Sequence, residues 1–262
     1  MIHPSKFETV MPIATKLPRA IQNKLFGERE KYGTHVQPND PDWSEWLSYY
    51  LKFYQDTQKR GVSKWVNRSG YKILRQISLE KKKVLEIGPG DMPHVGFWIG
   101  KPNFYYVCDI REEFLLQSQK LLDKLEIPNT GIQVDSPILQ IDDQSLDVII
   151  AFYVLEHLDP LNDYIDEFIR ILKPGGLLIG GIPTEGGVGW GLGRYFSSRR
   201  YILKTSNLNP DKIICWEHPN FAQSILNILD IKMKRKVVSF WPFKLPNIDI
   251  NLLVRLIYEK PE

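Results

Sequence analysis

An acid and two glycines close the first apolar run of the chain, Val84-Leu85-Glu86-Ile87-Gly88-Pro89-Gly90. A second run, Tyr105-Tyr106-Val107-Cys108, ends in Asp109, with Ile110 behind it. Glycines after a strand expose bare backbone to a ligand and accept positive φ. An acid ending the next strand can take two hydrogen bonds from a ribose diol. A nucleoside triphosphate would call for a lysine after the glycines, and a dinucleotide for G-x-G-x-x-G at a helix start. Neither pattern occurs, so the residues point to a ribose-bearing ligand held without a phosphate clamp.

Such a site needs strands to present it. From residue 83 strand-like and helical segments alternate, with strands expected at 83–87, 104–108, 132–134, 146–151 and 177–182. Helical patterns lie between them, at 111–125 and again over 160–172, where Asp159 is read as the cap, Pro160 as the first residue and Lys173-Pro174-Gly175-Gly176 as the stop. Two late runs, 236–241 and 251–258, joined by a proline-bearing link, read as an antiparallel pair. The expected fold is α/β: a Rossmann-like, mostly parallel seven-stranded sheet with an antiparallel edge strand and helices on both faces. In such sheets ligands sit beyond the carboxyl ends of the strands.

An N-terminal helical addition precedes the sheet. Asp40 caps a helix that Pro41 starts, and Trp43, Trp46, Leu47, Tyr50, Leu51 and Tyr54 give it a broad aromatic face. A second helix is expected over 62–77. Residues 1 to about 35 are broken by prolines and are expected to be loosely ordered or draped on the body. The Gly- and aromatic-rich stretch from 184 to 218 reads as a loop, followed by a helix over 221–230. The expected division is 1–80 as an extension and helical lid, and 81–262 as the main domain, with 184–218 as a substrate-side insertion.

Composition excludes several classes. The 34 basic and 31 acidic side chains leave a formal net charge of +3, too mild for a nucleic-acid binder with its basic stripe. Cys108 and Cys215 are the only cysteines and form no metal-type pair, which suits a reducing cytosol. Pro4, Pro12 and Pro18 interrupt the N-terminus, so no secretory signal is expected. No apolar stretch of about 18 residues predicts a membrane span. Zinc spacings, metal-binding helix motifs and nucleophile elbows are missing, so no metal or covalent intermediate is expected. The lysine-rich runs at 81–83 and 234–236 read as solvated approaches to strands.

Five motifs occur in one order: "VLEIGPG", "YYVCDI", "QVDSPILQIDDQSLDVIIAFYVLEHL", "IRILKPGG" and "LLIGGIP". Together, over roughly residues 80 to 185, they resemble the class I S-adenosylmethionine-dependent methyltransferases, nearest the group with the type 11 domain. The resemblance implies that Glu86 and the backbone of Gly88 and Gly90 hold the methionine end of the cofactor. It implies that Asp109, followed by Ile110, takes the ribose. Asp135 and Ser136 would meet the adenine, and Ala151, Phe152 and Tyr153 would run past the sulfonium. This cofactor has no phosphates and carries cationic groups, which suit a carboxylate and aromatic faces. Two positions depart from the family pattern: Met92 stands where a third glycine is common, and Leu139-Gln140-Ile141 where Leu-Pro-Phe is common.

The methyl acceptor has weaker signals. His157, Glu185 and His218, with Glu217 beside the last, are the candidate general bases; a packed histidine is the other reading of His157. The segments around Glu185 and His218 are similar to those of methyltransferases of surface-glycan and other small-molecule pathways. A sugar or glycolipid-precursor hydroxyl is the first reading of the acceptor, and an aromatic small molecule the second. A nicotinamide-dependent oxidoreductase is disfavoured by the E-x-G-x-G pattern, whereas a non-catalytic cofactor-binding module remains open.

Overall fold

The computed structural model of the chain describes residues 13–58 and 61–262. Its residues cluster into two compact units. A sheet unit comprises Asn67–Ile182, Ile225–Val238 and Arg255–Glu262, and a helical unit the stretch up to Val66 with Pro183–Ser224 and Ser239–Val254.

The strands are β1 (Lys83–Ile87), β2 (Phe104–Asp109), β3 (Asn129–Gln133), β4 (Leu146–Phe152), β5 (Leu172–Pro183), β6 (Lys234–Trp241) and β7 (Leu253–Glu259). They form one seven-stranded sheet in the order β3-β2-β1-β4-β5-β7-β6. β1 runs parallel to β2 and β4, β2 to β3, and β4 to β5. β7 runs the other way beside β5: Lys260 N–H donates to the Gly176 carbonyl, and Thr184 N–H to that of Leu252. The last four residues of β1 are all buried, as a central parallel strand covered on both faces requires. Val84, Tyr105, Val107, Val148, Ile150 and Ile179 pack in one core with Ile73, Leu74 and Leu122.

β3 begins three residues before the expected 132. Asn129-Thr130-Gly131 has no apolar alternation and little strand preference, and its pairing with Tyr105–Val107 recruits it. The helix Glu112–Lys124 buries Phe114, Leu115, Ser118 and Leu122, and Leu161–Ile171 buries Leu161, Ile165, Phe168 and Ile171 at helical spacing. This second helix starts one residue later than expected. Pro160, not Asp159, occupies its N-cap, without a side-chain bond. Its expected stop, Lys173 to Gly176, lies within β5.

In the helical unit, Asp40 caps the helix Pro41–Phe53, accepting from Asp42 N–H at 3.0 Å and Trp43 N–H at 3.2 Å. Its aromatic face packs inward. Trp46 of that face and the neighbouring Phe53 are buried against Ile202, Leu208 and Ile213, with Trp43 and Tyr50 half-buried beside them, whereas Leu47 is exposed. The second helix covers Gly61–Tyr71 and tightens into a 3-10 turn over Lys72–Gln76. The segment expected to be loosely ordered falls partly outside the described residues. From Ile13 it forms short helices, Arg19–Phe26 and Arg29–Tyr32, with Leu25 and Phe26 buried.

The stretch read as a loop from 184 to 218 is mostly helical: Val188–Phe196, Ser198–Thr205 and Pro210–Glu217. Two of its glycines serve close packing. A Cβ on Gly187 would stand 2.3 Å from the Ile248 carbonyl oxygen, and one on Gly191 2.8 Å from the Phe26 ring. Asp211 ties these helices together, accepting from Arg194 Nη2 at 2.9 Å and Arg199 Nη2 at 2.8 Å. Arg194 also donates to the carbonyls of Lys24, Leu25 and Pro210.

Removing the carboxylate would leave a buried guanidinium without its counter-charge. Asp211→Ala should lower unfolding free energy by about 3–5 kcal/mol, read from urea denaturation; a loss below about 1 kcal/mol, the range of an exposed pair, would show the cluster to be solvent-screened.

Candidate active site

β1 delivers Glu86 to the interior with its carboxylate buried. Such a charge needs hydrogen bonds on its oxygens. Tyr105 Oη donates to Oε2 at 2.7 Å, and the His94 ring lies with Nε2 2.5 Å from Oε1. Trp98 Nε1–H, which can only donate, points at His94 Nδ1 at 3.0 Å. Nδ1 therefore accepts, and Nε2 carries the hydrogen given to Glu86. Sequence reasoning missed His94, because nothing in "GDMPHVGFW" announces that a short turn brings it back onto β1.

The glycine turn follows directly. Gly88 and Gly90 have φ of 62° and 56°, and Met92, where the family's third glycine is common, also lies at 48°. The backbone keeps the glycine-like conformation although a side chain is present, and the Met92 side chain is buried in the core. Ser118 Oγ donates to the Gly90 carbonyl at 3.1 Å, fastening the turn to the helix Glu112–Lys124. A Cβ on Gly88 would sit 3.0 Å from Val154 Cγ2, so the turn and the segment after β4 are in close contact.

Asp109 ends β2, half-buried, with Oδ1 accepting Arg111 N–H at 2.9 Å. Burial raises its pKa to about 6, against the hydrogen bond and charge of Arg111. Ile110 projects an exposed side chain beside it. Asp135 lies exposed two residues past the end of β3, and Ser136 Oγ accepts Ile138 N–H at 3.3 Å.

Ala151 and Phe152 are the last residues of β4, which runs one residue beyond the expected 151. Tyr153 follows at φ 56°, an uncommon conformation for a bulky residue. Its hydroxyl donates to the Asn67 carbonyl at 3.0 Å. Tyr71, from the end of the preceding helix, packs edge-on to Phe152 at 5.1 Å and lies 5.9 Å from Tyr153 and 5.6 Å from His94. Burial, with Glu86 and Asp91 near it, pushes the Tyr71 pKa up. The sequence offered no signal for Tyr71 beyond one more aromatic on a helix.

Of the candidate bases, the helical unit brings two together. His218 Nδ1 makes a short contact with Glu185 Oε2, whose side chain is fully buried. Arg29 Nη2 lies 3.3 Å from Glu185 Oε1 and donates to the His218 carbonyl at 2.7 Å. The Arg29 guanidinium stacks on Phe221 at 4.1 Å, and the Trp190 ring lies 5.8 Å from that of His218. Glu217 accepts the Trp46 indole N–H. His157 belongs to the sheet unit, half-buried in the turn after β4.

Residues 85–180 match the model of the methyltransferase domain family, type 11. No curated protein matches the chain. Among solved structures, it resembles an S-adenosylmethionine-dependent methyltransferase from Aquifex aeolicus at 14% identity and a TM-score of 0.54, covering 80% of this chain and 97% of that one. It resembles a Pyrococcus horikoshii OT3 protein at 16% and 0.55, covering 82% and 99%. It also resembles the N-methyltransferase NodS of Bradyrhizobium japonicum WM9 at 14% and 0.50, covering 86% and 100%. At these identities the structures attest the fold. The residues from 85 to 180 thus form a class I methyltransferase domain, and its cofactor is S-adenosylmethionine.

The site suits that cofactor on its own terms. Gly88 and Gly90 hold positive φ in a turn with little room for a side chain beside Val154, a half-buried acid ends β2, and no lysine or arginine stands in the turn.

Gly88→Val should weaken S-adenosylmethionine binding and lower the melting temperature, because the side chain meets Val154 and resists positive φ. Calorimetry on a variant still folded by circular dichroism decides it; unchanged affinity would separate the turn from the cofactor. For Asp109 the ionised carboxylate is the better acceptor of ribose hydroxyls, so affinity should fall as pH drops through about 6. The effect on stability has the opposite sign, since a carboxyl with raised pKa favours the folded state when protonated. Calorimetric titrations at pH 5 and pH 7 should differ for the native protein and not for Asp109→Asn.

Proposed function

We propose that the chain transfers the methyl group of S-adenosylmethionine to a hydroxyl of a sugar or glycan precursor. The observation that carries this reading is the buried Glu185 carboxylate set against His218 Nδ1. With Nδ1–H given to the carboxylate, Nε2 is the ring's basic atom. That arrangement serves an acceptor whose proton must leave, which a hydroxyl requires and an already nucleophilic amine or thiol does not. Arg29, on the other oxygen of Glu185, keeps the carboxylate turned toward the imidazole.

In the sheet unit, the backbone at Gly88 and Gly90 holds the methionine end, with Glu86 supplying a negative charge positioned by His94 and Tyr105. Asp109, with Ile110 beside it, would accept the ribose hydroxyls, and Asp135 with Ser136 would meet the adenine amino group. Ala151, Phe152 and Tyr153 line the sulfonium end, where aromatic faces favour a cation. When bound, the cofactor supplies a methyl group on a good neutral leaving group. The protein's own contribution is alignment, worth as much as about 7–11 kcal/mol, and removal of the acceptor proton by His218 Nε2. His157 is the remaining candidate for that proton.

Acceptor choice is assigned to residues outside the matched 85–180: the N-terminal 1–80, as a lid, and the 184–218 insertion. Support comes from the family match ending before Glu185 and His218.

Release of S-adenosylhomocysteine over a panel of hexoses, nucleotide sugars and a catechol tests the acceptor class. Once an acceptor is found, His218→Asn should lower kcat by about 10²–10⁴-fold with cofactor affinity unchanged. Glu185→Gln should lower it less. Turnover of the catechol alone would move the acceptor to the aromatic class, and undiminished kcat in His218→Asn would remove the base.

A further inference from the structure

The link between β6 and β7 is built to hold apolar side chains out in solvent. Phe243 is 61% exposed and Leu245 58%, and Trp65, itself 62% exposed, packs edge-on against Trp241 with ring centroids 4.4 Å apart. Scattered exposed apolar residues are ordinary on any surface. These are different because a fully buried side chain fixes the turn that displays them. Asn251 Oδ1 accepts Phe243 N–H at 2.9 Å, and its Nδ2 donates to the carbonyls of Leu245 at 2.9 Å and Asn247 at 2.7 Å. Leu252 N–H donates to the Trp241 carbonyl at 2.8 Å and closes the base. The side chains of Phe243 and Leu245 are thus exposed on a turn whose backbone is held at both ends.

The charged residues adjacent to them in sequence are lysines. Lys244 stands exposed between Phe243 and Leu245, and Lys64 exposed next to Trp65. Among the described residues neither forms an ion pair with a carboxylate. Asp249, the acid of the β6–β7 link, is buried and accepts the N–H groups of Ala14 and Val188, and residues 57–79 and 231–248 contain no aspartate or glutamate. Some of their cations, Lys232, Arg235 and Lys236 among them, are paired with acids elsewhere, but Lys64 and Lys244 are not. Tryptophan, phenylalanine and leucine beside unpaired lysines are what an anionic membrane interface takes: the rings and alkyl groups enter the acyl boundary and the ammonium groups meet the headgroups.

We propose that Trp65, Trp241, Phe243, Lys244 and Leu245 form a docking surface for an anionic lipid bilayer, so that the enzyme works while attached to a membrane face. The proposal stands apart from the acceptor reading, since neither Glu185 nor His218 enters it. Attachment through these few side chains is peripheral and reversible.

Flotation of the full chain with vesicles of phosphatidylcholine alone, and of phosphatidylcholine mixed with phosphatidylglycerol, tests it. The protein should float with the mixed vesicles and not with the neutral ones, and salt should release it. Phe243→Ser with Leu245→Ser should weaken partitioning about tenfold or more. Lys244→Glu should weaken it too, with melting temperature and S-adenosylmethionine affinity unchanged in both. No flotation, equal flotation with both vesicles, or a double variant that floats like the native protein would each overturn the proposal. Sedimentation showing a dimer that the double variant dissolves would assign the face to a second copy of the chain and overturn it as well.

Discussion

A carboxylate buried at the end of a central strand is tolerated only if its oxygens are hydrogen-bonded, and much of the sheet unit follows from how Glu86 meets that demand. Tyr105 reaches it from the neighbouring strand, and His94 reaches it from the turn that the glycines begin. Because Trp98 fixes the His94 tautomer in turn, a single buried charge organises β1, β2 and the segment from Gly88 to Trp98. The glycine turn is thereby held in one conformation before any ligand arrives, which is the condition for recognising a cofactor by bare backbone.

The same end of the sheet concentrates strained backbone. Gly88 and Gly90 adopt left-handed conformations at no steric cost, whereas Met92 and Tyr153 do so against their side chains. Strain of this kind persists only where surrounding contacts over-determine it. Met92 is held by the core and Tyr153 by its bond to the Asn67 carbonyl. Met92 lies two residues after Gly90, and Tyr153 directly after the end of β4.

The helical unit obeys a different logic. Several of its charges are buried or half-buried in pairs and clusters: Arg194 and Arg199 on Asp211, Arg29 on Glu185, Lys212 on Asp40 and Asp42. The pairs of Arg29 with Glu185 and of Lys212 with Asp40 and Asp42 join segments more than 150 residues apart, whereas Asp211 draws together neighbouring helices. Removing one partner of a buried pair is costly, because it leaves an uncompensated charge in the interior. One of these pairs, Arg29 on Glu185, holds the carboxylate that contacts His218.

What the sequence determined by itself was local and periodic. The strand-helix alternation, the capping of the aromatic helix by Asp40, the glycine turn and the acid at 109 were legible because each depends on neighbours a few residues away. The same reasoning misjudged 184–218, where glycines suggested a loop. Their backbones instead lie against Ile248 and Phe26, contacts that no local pattern encodes. β3 escaped for a related reason: Asn129-Thr130-Gly131 has no strand character until β2 lies beside it. His94 on Glu86, Tyr71 against Phe152, and Glu185 beside His218 were decided by tertiary structure alone, since hydrogen bonds and ring contacts between distant segments exist only after the chain has closed on itself.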